Sequence, residues 1–229
     1  SASFLDFVLK SFIEGTPGLP SRGANALPAA LAARLPIGTV KLNARVESIA
    51  GQTVRTSIGE FSADRIIVAV DPRTANSWFS SISLPAFGDC TTWYFVAEQS
   101  PTIEKGILIG DSRGPVVNTA VLSNVAPTYA SRGRHLINAT TLGIASNAEA
   151  QSHVRKHLAE LWATSTESWQ TVKAVEVRDA LPIHAPNASL RVAPKIADHV
   201  WLAGDYLATP SQNGAVLSGR RAARAAVAG

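Results

Sequence analysis

The sequence predicts an α+β fold built on a mixed, largely antiparallel sheet, and three observations lead there. Apolar residues alternate with a period of two in short runs, first between Val40 and Ile58 and again between Thr91 and Gly143. The runs between Thr91 and Gly143 are joined by short, turn-like links that hold no crossover helix, so neighbouring strands there should run antiparallel. Helical spacing of apolar residues is confined to separate stretches at the start, the middle and the end of the chain.

Taken in order, Phe4, Leu5, Val8 and Phe12 fall on one helical face with Gly15 at a natural stop, which predicts a helix over residues 1–14. Gly15 to Gly23 is a glycine- and proline-rich loop. A second helix is expected from Ala26 to Leu35, with Pro28 tolerated in its first turn. Val40, Leu42, Ala44 and Val46 alternate, as do Val54, Thr56 and Ile58. "IGEF" reads as a hairpin turn around Gly59, and "RIIVAV" as a buried strand ended by Asp71-Pro72. Between Trp78 and His184, "TTWYFVAE", "PVVNTAVLSN" and "RHLINATTLG" read as strands. Trp93, Tyr94 and Phe95 are core candidates before they are pocket candidates. Ser146 with Glu149 suggests a capping box. It would open a helix whose apolar face is Val154, His157, Leu158, Leu161 and Trp162, with His157 as a packed side chain and not a ligand. "VKAVEVRDALPIH" is a further strand. No internal repeat or low-complexity linker interrupts this order.

Composition excludes several classes of function. The 229 residues suffice for one large domain or two small ones. Charged residues are only 17% of the chain, below the usual quarter, which suits a protein that buries surface against a partner or cofactor. The net charge of +4 is scattered, and the densest cluster, Arg220, Arg221 and Arg224, reads as a solvated helix face, so nucleic acid is not an expected partner. A single cysteine, Cys90, rules out an intrachain disulfide and a multi-cysteine metal centre. His135, His153, His157, His184 and His199 show no metal-ligand spacing, and no phosphate-binding loop or nucleophile elbow occurs. No run has transmembrane length and no leader opens the chain, so a cytoplasmic location is expected, with peripheral membrane contact left open.

The most informative stretch is "VWLAGDYLATPSQNGAVLSGRRAARA", from Val200 to Ala225. Val200 to Ala203 is a short apolar strand stopped by Gly204, and Asp205 follows at once. From Asn213 the spacing becomes helical, with Ala215, Val216, Gly219, Ala222, Ala223, Ala226 and Val227 expected on the buried arc. Asn213 is a good cap, and the first amides of a helix lack partners within it and attract electron-rich oxygens. Gly219 inside the helix costs about 1 kcal/mol against alanine, which predicts close packing or ligand approach there. Asp205 is placed to accept hydrogen bonds from sugar-like hydroxyls. The same residues also make an ordinary strand, turn and capped helix, so an unliganded structural role stands beside the binding role.

This stretch resembles the C-terminal flavin motif of the amine oxidase, protoporphyrinogen oxidase and phytoene desaturase superfamily: apolar strand, Gly-Asp, loop, small residues with Gly-Ala, then Ser-Gly-Arg-x-Ala-Ala. "LPSRGANALPAALAARL" and "ARVESIAGQTVRTSIGEFSADRIIVAVDP" resemble two further segments of these proteins, in the same order. The resemblance implies an FAD-dependent oxidoreductase that removes hydride from a C–N or C–C bond of a small or apolar substrate. It implies that Gly204 and Asp205 meet the ribityl or phosphate part of FAD. The amides of Gly214 and Ala215, behind Asn213, would face the flavin pyrimidine oxygen, and the backbone at Val46 would meet the adenine. Residues 39–72 and 195–229 would then be pieces of an FAD-binding, Rossmann-like domain, and residues 1–38 and 73–194 a substrate-binding region. A G-x-G-x-x-G segment for the ADP part is missing from the sequence, so the resemblance implies an N-terminal FAD-binding half as partner. It also implies that the chain alone is inactive and holds no FAD. No residue stands out as a catalytic acid or base. A non-catalytic module that binds a ligand or partner without flavin is the alternative.

Overall fold

The computed structural model describes every residue except Ser1, Pro17, His184, Asn187, Ala188, Leu190 and Gly229. In chain order, helices α1 (Ala2–Glu14) and α2 (Ala26–Ala32) precede strands β1 (Val46–Ala50), β2 (Thr53–Thr56), β3 (Gly59–Ser62) and β4 (Ile66–Val68). Helix α3 (Pro72–Trp78), strands β5 (Phe87–Ala97), β6 (Leu108–Ile109) and β7 (Val116–Val121), helix α4 (Leu122–Val125) and strand β8 (His135–Leu142) follow. Helix α5 (Ala148–Leu161), strands β9 (Gln170–Pro182), β10 (Lys195–Ala197) and β11 (Val200–Leu202), and helix α6 (Gln212–Ala228) complete the chain. The fold is α+β, as expected. These elements form two compact units, one of Ser1–Lys10, Ile37–Phe87 and Leu181–Gly229, the other of Ser11–Pro36 and Gly88–Ala180. The expected boundaries at 72/73 and 194/195 both fall inside the first unit.

In the second unit, five strands are ordered β6-β7-β8-β5-β9. β5 with β8, β8 with β7 and β7 with β6 are all antiparallel, as expected, although β5 and β8 are not consecutive and the β7–β8 connection carries the helical turn α4. Alternation on β5 sends Thr91, Trp93, Phe95 and Ala97 to one buried face. There they meet Val116, Val121, Ile137 and Ala139 of the sheet, and Val154 and Leu158 of α5. His157 is the packed side chain the sequence suggests, 2% exposed. Its Nδ1 accepts from the Val116 amide at 3.0 Å, which leaves Nε2 to donate to Asp111 at 3.1 Å. Gly114 is needed beside it, because an added Cβ would lie 2.4 Å from the imidazole ring.

Several local expectations differ from the structure. Asn147, and not Ser146, caps α5 by accepting from the Ala150 amide, while the Ser146 hydroxyl donates to Glu176. α2 ends at Ala32 and the chain turns before Leu35. "PVVNTAVLSN" stops being a strand at Val121, where the helical turn α4 begins. Asp71-Pro72 does end β4's extended run, but it also starts α3, with the Asp71 carboxylate accepting from the Thr74 amide and Pro72 in the first turn. The end of the last middle strand, His184, lies outside the described residues.

The first unit holds two small sheets. β1, β2 and β3 form an antiparallel meander in which Ser57 and Ile58 make the hairpin turn before Gly59. β10, β11 and β4 form the other, with β11 antiparallel to β10 and parallel to β4. β11 is buried on both faces, which is the habit of a strand in a parallel sheet. Val200 and Leu202 pack with Ile66, Val68, Ala75 and Leu207 on one side. Trp201 and Ala203 pack on Ala222 and Ala226 of α6 on the other.

Candidate functional site

The carboxyl end of β11 and the start of α6 build the candidate site. Just past β11, the Ala203 amide donates to the Val68 carbonyl at 2.9 Å, so the parallel pairing holds to the strand's end at Leu202. At Gly204 the chain leaves the sheet, and its amide donates to the Ser218 hydroxyl of α6 at 3.0 Å. Asp205, Tyr206 and Leu207 then form one 3-10 turn that packs against α6. Gly204 is required by packing and not by backbone strain, since its φ of 171° is extended. A Cβ there would lie 2.2 Å from the Tyr206 ring.

Burial shapes the electrostatics of this turn. Asp205 is half-buried, and loss of solvent raises its carboxyl above the ordinary value; the backbone amide of Tyr206 offsets this in part. Burial also pushes the Tyr206 phenol up to about 12, assisted by the nearby carboxylates of Asp205 and Asp71. The Tyr206 hydroxyl is buried with no hydrogen-bond partner among the described residues. An orphaned hydroxyl beside a desolvated carboxylate is costly unless a ligand group completes it.

The helix start corrects two expectations. Ser211, and not Asn213, is the cap: its hydroxyl accepts from the Gly214 amide at 3.0 Å and its carbonyl from the Ala215 amide at 2.9 Å. Asn213 is the second helical residue. The amides of Gly214 and Ala215, expected to face a ligand oxygen, are therefore already engaged by Ser211. The amides of Gln212 and Asn213 have no protein partner among the described residues and are the ones left to a ligand. Gly214 is fixed by sterics, because a Cβ would lie 1.8 Å from the Thr209 carbonyl oxygen.

The buried stripe of α6 is Gly214, Ser218, Ala222 and Ala226. Ala215, Val216, Ala223 and Val227 of the expected arc are exposed, so the arc is rotated toward Ser218. Gly219 has nothing within 4 Å of an added Cβ, which removes the close packing expected for it. Val46 opens β1, an edge strand of the β1-β2-β3 meander, whereas Asp205 lies in the turn that follows β11 of the other small sheet. Sequence reasoning missed Tyr206, Ser211 and Ser218. A serine three residues before Gly214 was the readable signal for the cap. Nothing in the sequence marks Tyr206 as buried.

A parallel strand pair that delivers a glycine and an acid to a helix start is an arrangement beyond whose strand ends, in open α/β sheets, ligands are commonly bound. The chain matches the flavin containing amine oxidoreductase family over residues 2–227 and belongs to that family. Among solved structures, it is similar to a putative protoporphyrinogen oxidase from Exiguobacterium, at 14% identity and TM-score 0.69, covering 91% of this chain and 52% of that one. A Pyrococcus furiosus protein is similar at 17% identity and TM-score 0.59, covering 81% and 47%. A reduced UDP-galactopyranose mutase is similar at 14% identity and TM-score 0.54, covering 78% and 46%. These likenesses show the fold. The chain spans about half the length of each of these structures. No curated protein matches it. Among the described residues, no group of three His, Cys, Asp or Glu side chains is arranged to hold a metal, and no helix is long and apolar enough to cross a membrane.

Proposed function

We propose that this chain is the C-terminal part of an FAD-dependent oxidoreductase acting on a small or apolar substrate. In this reading an N-terminal half supplies the grip on the ADP part of the cofactor. The observation that carries it is the strand end tied to α6, Gly204 amide to Ser218 hydroxyl, within a family match that runs nearly the whole chain. The residues present fit FAD: a half-buried acid, an orphaned buried hydroxyl and two helix-start amides without a partner among the described residues suit a ligand rich in hydroxyl and carbonyl oxygens.

In the assembled protein Asp205 accepts from ribityl hydroxyls, and the amides of Gln212 and Asn213 donate to an oxygen of the ring system. Gly204 lets the strand end lie against the Tyr206 ring, and Gly214 lets the helix start lie against Thr209. Bound flavin supplies the hydride-accepting chemistry, for a C–N or C–C bond; the protein binds and orients. The five-stranded sheet of the second unit is the substrate-side element, and its buried Trp93 and Phe95 are structural.

The test is FAD affinity of the full-length protein, read by flavin fluorescence quenching. Asp205→Ala should weaken binding by about 1.5–3 kcal/mol, the usual worth of charge-assisted hydrogen bonds. The stability of the unliganded protein should not fall, because the lost carboxylate is already disfavoured by burial. Equal affinities for the variant and the parent would leave Gly204-Asp205 as simple strand-to-helix punctuation.

A further inference from the structure

On the flank of α6, away from its first turn, Arg221 and Arg224 line a cleft of about 500 Å³ together with Arg191, which lies in the segment leading to β10. That segment is fixed in place: the Val192 amide donates to the Leu207 carbonyl at 3.2 Å, and the Leu202 amide to the Pro194 carbonyl at 2.8 Å. No acidic residue lines the cleft. Among the described residues, none of the three arginines has an ion-pair partner, and the Nη1 of Arg221 is buried with no hydrogen-bond partner at all. A guanidinium cannot shed its proton to escape burial, as a lysine or histidine can. A buried, unpaired cationic nitrogen beside two more cations is unfavourable unless an anion completes it.

We propose that Arg191, Arg221 and Arg224 form a binding site for a phosphate ester, separate from the flavin-facing end of α6. Three guanidinium groups exceed what one carboxylate can neutralise, and the planar fork of each matches two oxygens of a phosphate. The remaining wall of Val192, Ala193, Pro194 and Ala225 is apolar, so the ester's organic part lies there. The volume is within the range of small-molecule pockets and larger than a lone phosphate needs. The site requires nothing from the flavin, so it stands or falls independently of the proposed oxidoreductase activity.

The test is isothermal titration of the full-length protein with three probes: phenyl phosphate, inorganic pyrophosphate and benzoate. Phenyl phosphate should bind saturably at one site, at least roughly tenfold tighter than benzoate, with affinity falling as salt rises. The double variant Arg191→Ala/Arg224→Ala removes two exposed side chains, so it should keep the parent's melting temperature and lose roughly tenfold or more in phenyl phosphate affinity. Arg221→Gln should melt no lower than the parent without ligand and should lose the rise in melting temperature that pyrophosphate gives the parent. Absence of saturable binding by either phosphate probe would overturn the proposal. So would benzoate binding as tightly as phenyl phosphate, or a double variant that binds like the parent.

Discussion

Two glycines five residues apart in α6 should respond to alanine with opposite signs. At Gly214 a Cβ would lie 1.8 Å from the Thr209 carbonyl oxygen and 2.7 Å from its hydroxyl. The nearest obstacle is backbone and cannot rotate away. Either the 209–211 turn or the first turn of α6 must move, and the Ser211 cap on the Gly214 amide goes with it. Overpacking of this kind costs about 1–3 kcal/mol and a lost cap about 1 kcal/mol, against about 1 kcal/mol gained in helix propensity. Gly214→Ala should therefore destabilise by roughly 1–3 kcal/mol. At Gly219 an added Cβ meets nothing within 4 Å, so only the propensity gain remains and Gly219→Ala should stabilise by about 1 kcal/mol. Urea denaturation followed by circular dichroism reads both, compared as midpoints at equal slope. A Gly214→Ala protein as stable as the parent would refute the steric argument. A destabilised Gly219→Ala protein would mean that this face of the helix is covered after all.

Tyr206→Phe removes a buried hydroxyl that has no partner, so the unliganded protein should be at least as stable as the parent at neutral pH, by thermal melting. Because the folded phenol is raised to about 12, its contribution is present below the unfolded value of 10.0 and is lost as pH rises from there toward 12. Phenylalanine should flatten that alkaline decline, and an unchanged decline would assign it to other groups. His157→Ala deprives the Val116 amide of its acceptor and empties a fully packed site, which should cost about 3 kcal/mol or more in the second unit. Hydrogen exchange at the Val116 amide should accelerate with it; an amide that stays protected would show that Nδ1 is not its partner.

The sequence alone determined the elements whose signal is periodic and local. Alternation along Thr91–Ala97 and His135–Leu142 marked both as strands with one buried face, but their antiparallel pairing with each other, across β6 and β7 in the chain, and its register were set by the tertiary structure. The strand from Val200, the stop at Gly204-Asp205 and the helix beyond were legible because apolar run, glycine and small-residue spacing change within a few residues. His157 was readable as packed because its helical neighbours Val154 and Leu158 share its face. Tertiary structure decided what spacing leaves degenerate. Ser211 and Asn213 are both good cap residues, and Ser146 and Asn147 likewise; only the path of the incoming chain selects which carbonyl and hydroxyl meet the helix amides. The buried arc of α6 is set by where Trp201 and Ala203 of β11 lie against it, and an all-small helix carries too little contrast in hydrophobicity to announce that face. The burial of Tyr206, and with it the raised phenol and the desolvated Asp205, depends on residues 71 and 205 meeting across more than a hundred positions of chain. A side chain's solvent is supplied or withheld by the whole fold, so no local pattern encodes it.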